Sequence, residues 1–281
     1  MILGILPNLS KTNADVAVHA LIQELEELGA NYYIETSAAV ALDVSRNRMA
    51  EDEVFRNCDI LIAVGGDGTI IHVAKRAAVY GKPVLGINAG RVGYMACLEV
   101  SELSLIRRLF MGEYTVERRM MLEAVASRDP NKRYFCLNEV EVSKSSLSNV
   151  LDLSIDNGDD TFMSFRADGV LLATPTGSTA YAMSAGGPVT DPTLDCMILV
   201  PICSMSMYAR GFVLSPESDI RIRVADGEET QAIAKFDGTN PIVLDPGEVV
   251  TVRKACDMVT QLIKIKGDSF YSILKHKRNN L

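Results

Sequence analysis

The sequence predicts an α/β protein in two parts, an amino-terminal α/β domain on a parallel sheet followed by a β-rich domain. Three observations carry that expectation. Up to residue 115, short apolar runs alternate with amphipathic stretches, the rhythm of a sheet with helices on its faces. From about residue 116, short β-branched segments separated by turn signals replace that rhythm. The chain has 281 residues, 48% hydrophobic and 23% charged, enough for two cores and unlike a disordered or fibrous chain.

Each element follows in order. Residues 1–6 are a short apolar run. Residues 13–28 then place Val16, Ala20, Leu21, Leu25 and Leu28 at helical spacing, and Gly29 closes that helix. A second strand falls at 31–35. Residues 59–64 are apolar after Asp59 and end in Gly65-Gly66, the texture of a strand covered on both faces. A helix over 69–80 and a strand over 82–87 complete a Rossmann-like pattern. In the second part, strands fall at 121–126, 134–142, 150–155, 169–173, 220–224 and 249–253. Arg128-Asp129-Pro130-Asn131, Asp156-Asn157-Gly158-Asp159 and Asp245-Pro246-Gly247 mark the turns. Residues 269–277 carry Phe270, Ile273 and Leu274 on one helical face. The domain boundaries fall at 1–115 and 116–265, with 266–281 as a terminal segment.

Composition narrows the function. Lys and Arg number 28 against 36 Asp and Glu, a formal charge of −8. An acidic chain argues against a general binder of nucleic acid or anionic membrane, which needs a basic face. The basic segment 266–281 reads as a solvated helix end. Six cysteines are scattered without a C-x-x-C pair, several inside apolar runs, which reads as buried thiols in a reducing cytosol. Three histidines show no metal-ligand spacing, so the protein is expected to hold no metal of its own. The first apolar run stops at Pro7 without a basic lead-in, and no stretch reaches the roughly 18 apolar residues of a spanning helix. These readings predict a soluble, cytoplasmic protein.

Three segments carry chemistry. Gly65-Gly66-Asp67-Gly68-Thr69 stands directly between a buried strand and a helix. Glycines let the backbone turn tightly, and a helix N-terminus offers N–H groups to an anion. The Walker lysine is missing, and Ile71 stands where a dinucleotide fingerprint needs its third glycine. An aspartate inside such a turn repels phosphate, so it holds a metal, accepts a hydroxyl proton, or only complements the helix dipole. The run from Asp168 to Pro188 reads DGVLLATPTGSTAYAMSAGGP, dense in hydroxyls and small side chains that can serve a polar ligand. In 135–142, Asn138 shares parity with Val140 and Val142, so it is expected to face inward and need a partner.

Together these segments resemble the bacterial NAD kinases, which transfer phosphate from ATP to the 2′-hydroxyl of the adenosine ribose of NAD. The resemblance covers the 65–69 turn, Pro83-Val84-Leu85-Gly86-Ile87-Asn88 with Gly90 and Gly93, Asn138-Glu139, and residues 168–188. It continues weakly through Lys266-Gly267-Asp268-Ser269-Phe270-Tyr271. The glycine-aspartate turn is shared with lipid kinases and phosphofructokinase-like enzymes, whereas TPTGSTAY with its trailing SAGGP is specific to the NAD kinase pattern. The resemblance implies Asp67 as the base on the ribose hydroxyl, Gly68 as a backbone contact and His72 near the phosphates. It implies that Asn138 and Glu139 hold the adenine side of NAD and that Arg166 and Asp168 reach the nucleotide. Thr179, Ala180, Tyr181, Ala182, Met183 and Ser184 would line the pocket. Met205 and Thr239 are further implied contacts at which this chain departs from the common pattern. A homo-oligomer, dimer or tetramer, with NAD sites near subunit contacts is also implied, as is a terminal segment that returns to the first domain.

An acidic chain without a Walker lysine needs Mg²⁺ on the triphosphate of ATP, assisted by backbone N–H groups. Two rivals share parts of the pattern. A lipid or sugar kinase has the same turn, and a nucleotide sensor keeps the pocket without turnover. A lipid substrate would call for an apolar slot or a basic membrane face, and a sensor has no need of Asp67.

Overall fold

The structure is a computed structural model and describes residues 1–90, 93–145, 150–225, 231–267 and 270–279. The chain divides into two compact units, one of Met1–Arg118 with Thr260–Leu281 and one of Arg119–Val259.

The first unit runs β1 (Ile2–Pro7), α1 (Ala14–Glu27), β2 (Asn31–Glu35), α2 (Thr36–Ala41), β3 (Arg48–Met49), α3 (Glu51–Asn57), β4 (Ile60–Gly65), α4 (Asp67–Val79), β5 (Val84–Asn88), β6 (Leu98–Glu99), a 3₁₀ stretch Val100–Ile106, and α5 (Arg107–Met111). The pairings of β1 with β2 and β4, of β4 with β5 and of β2 with β3 are all parallel. The chain therefore steps outward from β1 to β2 and β3, then returns to place β4 and β5 on the other side of β1. The carboxyl ends of β1 and β4 flank the point where strand order reverses, the position at which open α/β sheets bind ligands. Every residue of β4 and β5 is buried, as the apolar run after Asp59 foretold for β4. The core gathers Leu3, Ile5, Ile34, Ile62, Val64, Leu85 and Ile87 with Leu21 and Leu25 of α1.

Helix α1 differs from its expected face. Ala14, Ala17, Val18, Leu21 and Leu25 are buried, while Val16 and Leu28 are 58% and 42% exposed. Two alanines seat the helix close to the sheet, and that rotates the buried stripe away from Val16. Helix α4 begins at Asp67, two residues before the expected start, so Asp67 and Gly68 belong to its first turn.

The second unit holds most of β7 (Thr115–Ala126), then β8 (Tyr134–Cys136), β9 (Glu139–Lys144), β10 (Leu151–Asn157), β11 (Asp160–Ala167), β12 (Gly169–Ala173), a 3₁₀ turn Thr176–Thr179, α6 (Tyr181–Ser184), β13 (Met197–Ile202), β14 (Phe212–Leu214), β15 (Ile220–Val224), β16 (Ala232–Phe236), β17 (Thr239–Leu244) and the start of β18 (Val249–Lys264). One antiparallel sheet has the order β14-β13-β12-β9-β16-β17. A second antiparallel set joins β11, β10, β15 and the first residues of β18. Val170, Leu172, Met197 and Leu199 face one core with Leu153, Ile222 and Phe236. Leu171, Ala173, Ile198 and Val200 face the other way, onto Ala182 of α6. Both faces of β12 and β13 are thus covered, which is why their sequences run apolar without alternation.

The carboxyl end of β18 belongs to the first unit, where Leu262 pairs in parallel with Val84. The terminal helix α7 (Phe270–Asn279) follows in the same unit, so the terminal segment returns to the first domain. The expected first residue of that helix, Ser269, lies outside the described residues with Asp268. Among the described residues, no helix is long and apolar enough to cross a membrane. All six cysteines are free thiols, but Cys203 and Cys256 are exposed rather than buried. Cys203 stands at a turn with φ +49° just past β13, where no apolar neighbours continue the strand.

Candidate active site

In the first unit, the buried strand β4 delivers the chain to Gly65 and Gly66, and Asp67 opens α4. The N–H groups of Thr69 and Ile70 both turn back to Gly66 O, at 2.9 and 3.1 Å. Asp67 is half-buried and directed at a neighbouring loop. Its Oδ2 accepts the N–H of Tyr94 at 2.8 Å and its Oδ1 that of Met95 at 3.1 Å. Gly93 sits against this carboxylate so tightly that an added Cβ would overlap it and force one of the two to shift. Burial raises the Tyr94 phenol above its ordinary value, and the charge of Asp67 pushes it further, which places the phenol within the field of the carboxylate. The loop is anchored at its start by Asn88, whose Oδ1 accepts the Gly90 N–H and whose Nδ2 donates to both oxygens of Glu99.

A cavity of about 540 Å³ opens at the reversal point of the sheet. Pro7 at the end of β1 and Asn8 just past it line one side, and Gly68, Thr69 and His72 of α4 line another. Gly68 and His72 are four residues apart, hence on one helix face, and both are exposed. Asn8 Nδ2 donates to Thr69 Oγ1 at 3.1 Å and ties the two walls together. Glu35 and Glu51 line the same cavity, so an anionic group at the exposed backbone of the first helical turn needs a cation beside it.

The remaining sequence-predicted residues belong to the second unit. Asn138 does not lie in a strand, contrary to the parity argument. The ladder breaks between β8 and β9, and Asn138 sits half-buried at the break while Glu139 begins β9 as a buried residue. The hydroxyl-rich run also behaves differently from its expectation. Thr174, Thr176 and Ser178 are buried and bonded to protein: Thr174 Oγ1 donates to Leu137 O at 2.6 Å, Thr176 Oγ1 accepts from Arg119, and Ser178 Oγ accepts the Thr190 N–H. These hydroxyls build the turn instead of displaying themselves. Tyr181, Met183 and Ser184 are exposed, Thr179 and Ala180 half-buried, and Ala182 fully buried with only its backbone left to serve a ligand.

Arg166 and Asp168 flank the end of β11. Arg166 is exposed and pairs with Asp152 at 3.2 Å, and Asp168 pairs with Lys144 at 2.6 Å. The Met205 N–H donates to Arg166 O at 2.9 Å, which brings Met205 to this group with its side chain 68% exposed. Burial raises the Tyr181 phenol, and its neighbours Glu141, then Cys203 and Asp168, push the same way against Lys235. Tyr181, Asp168 and the Lys235–Glu141 pair, 2.9 Å apart, therefore share one polar patch. Thr239 is exposed, and its Oγ1 donates to Phe236 O at 2.9 Å across the tight turn of Asp237 and Gly238. Sequence reasoning missed Lys144, Lys235 and Glu141, because only strand pairing brings them together. Asp237 was within reach, since Asp-Gly is a turn signal.

A fixed carboxylate on a helix's first turn, beside a cleft where an α/β sheet reverses its strand order, defines a nucleotide-dependent phosphotransferase. Two family models match the chain, the ATP-NAD kinase N-terminal domain over residues 9–114 and the ATP-NAD kinase C-terminal domain over residues 137–265. The chain belongs to the ATP-NAD kinase family and catalyses ATP-dependent phosphorylation of NAD. It is 38% identical over 273 residues to the NAD kinase of Symbiobacterium thermophilum, covering 96% of each chain. It is 34% identical over 277 residues to that of Caldanaerobacter subterraneus subsp. tengcongensis, covering 98% of this chain and 97% of the relative. Among solved structures, an Archaeoglobus fulgidus NAD kinase in complex with ATP matches with a TM-score of 0.77 at 26% identity over 100% of both chains. Yeast NADH kinase complexed with NADH shares the fold, with a TM-score of 0.90 at 22% identity over 99% of this chain and 87% of that one.

Proposed function

We propose that Asp67 is the base of the reaction and that the acceptor is the 2′-hydroxyl of the adenosine ribose of NAD. Asp67 takes the hydroxyl proton as the ribose oxygen bonds to the γ-phosphorus of ATP and the bond to the β-phosphate oxygen breaks, giving NADP and ADP. The observation that carries this reading is the orientation of Asp67. Each carboxylate oxygen accepts one backbone N–H, from Tyr94 or Met95, and keeps a second lone-pair site for a proton. A base held by backbone rather than by a flexible side chain loses little freedom when substrate arrives.

NAD is assigned to Gly68, to His72 near the phosphates, and to Asn138, Glu139, Arg166, Asp168 and residues 179–184, with Met205 and Thr239 at the edge. Mg²⁺ would neutralise the triphosphate charge when bound. Among the described residues, no three carboxylate, histidine or cysteine groups gather into a metal cage. A nucleotide's phosphates fit an ion that keeps several waters. A homo-oligomer, dimer or tetramer, is supported by the exposed apolar side chains Met205, Met207 and Tyr208, at 68%, 77% and 89% exposure. Free thiols support a cytoplasmic location.

Asp67→Asn tests the central claim. It preserves shape and removes basicity, so kcat should fall by about 10²–10⁴-fold while NAD still binds. If the aspartate served only the helix dipole, stability would drop by under about 1 kcal/mol and turnover would stay nearly normal. Turnover within about fivefold of the parent in a normally folded variant overturns the assignment.

A further inference from the structure

One carboxylate grips the backbone that presents Asn138. Asp237 Oδ1 accepts the N–H groups of Asn138 and Glu139 at 2.8 and 3.0 Å, and Oδ2 accepts that of Leu137 at 2.9 Å. The Asp237 N–H donates back to Glu139 O at 3.0 Å. The opposite edge of the same segment is held by Thr174, whose N–H donates to Asn138 O at 2.8 Å and whose Oγ1 donates to Leu137 O at 2.6 Å. Gly177 packs on this carbonyl edge, where a Cβ would fall on the Asn138 carbonyl.

In an uninterrupted strand the neighbouring ladder would satisfy these groups at no cost in side chains. Here the ladder stops between β8 and β9, and a charged side chain substitutes for it. Asp237 and Gly238, at φ +51° and +68°, form the two-residue turn between β16 and β17, for which Asp-Gly is a preferred pair, and this turn carries the carboxylate to the 137–139 segment. Charge-assisted bonds from three successive N–H groups hold the peptide planes on both sides of Asn138 and so set the direction of its side chain.

We propose that Asp237 is a positioning residue for NAD, fixing the 137–139 backbone so that Asn138 meets the nucleotide in one orientation. The proposal rests on the reading that Asn138 binds NAD. Asp237→Asn keeps the size of the side chain but turns an NH₂ group toward N–H donors. The KM for NAD should rise about tenfold, with kcat and the KM for ATP within about twofold. Thr174→Val releases the same segment from its carbonyl edge and should raise the NAD KM in the same direction, which keeps the test alive if Asp237→Asn does not fold. Because Asp237 acts through Asn138, adding Asp237→Asn to Asn138→Ala should change the NAD KM by less than about twofold beyond Asn138→Ala alone.

Additive effects in the double variant overturn the proposal. So does an unchanged NAD KM in both Asp237→Asn and Thr174→Val while Asn138→Ala raises it. A smaller active fraction with unchanged KM assigns Asp237 to folding alone and overturns it as well. Asn138→Ala with an unchanged NAD KM overturns the binding reading first, and the proposal with it.

Discussion

Gly93 lies so close to the Asp67 carboxylate that a Cβ at Gly93 would coincide with one of its oxygens. The glycine serves the approach of the Asp67 side chain rather than a turn. Gly93 and the two N–H groups that follow it form the surface on which Asp67 rests.

Gly93→Ala should therefore damage catalysis more than folding. The methyl displaces Asp67 from Tyr94 and Met95, so kcat should fall by at least about tenfold, within the range of a lost general base. The melting temperature should change little, because the methyl meets the end of one half-buried side chain and not the packed core. Steady-state NADP production and thermal unfolding on one purified variant check both parts.

Glu35 caps α2, accepting the N–H groups of Ser37 at 2.7 Å and Ala38 at 2.9 Å. Burial pushes its carboxyl up, but the bonds from the Ser37 hydroxyl and from the Ser37 and Ala38 backbone outweigh this and leave it below the ordinary glutamate value. A depressed carboxyl contributes stability above its unfolded value and loses it as pH falls through the folded one. Glu35→Gln should cost about 1 kcal/mol at pH 7, as lost caps do. The gap should begin to close as pH falls below about 4.3. Urea midpoints measured across that range decide it.

Thiol accessibility separates the cysteines. Cys203 and Cys256 are exposed, and Cys58, Cys97, Cys136 and Cys196 are buried. Burial and the nearby charge of Asp59 push the Cys58 thiol up to about 11, so it holds little thiolate at neutral pH. A disulfide reagent should react rapidly with Cys203 and Cys256 in the folded protein and with the other four only after unfolding. Rapid labelling of Cys58 in the native state would contradict this packing.

The sequence by itself determined the elements whose signals are local. The apolar run ending in Gly65-Gly66 dictated a doubly covered strand, because no residue within it tolerates water. The Asn157-Gly158 turn and the helical spacing around Leu21 and Leu25 did the same for their segments. Motif content was legible too, since TPTGSTAY is a long and specific string. Tertiary structure decided the directions of side chains. Parity sent Asn138 inward along a continuous strand, but Asp237, far along the chain, supplies the N–H acceptors that let the strand break there. Density of hydroxyls pointed Thr174, Thr176 and Ser178 at a ligand, but burial obliged each to find a protein partner. Hydrogen bonds between residues distant in sequence, such as Asp67 with Tyr94 or Lys144 with Asp168, are set by how strands are ordered and registered. No local pattern encodes that order, because it follows from which arrangement buries the most apolar surface while satisfying every polar group.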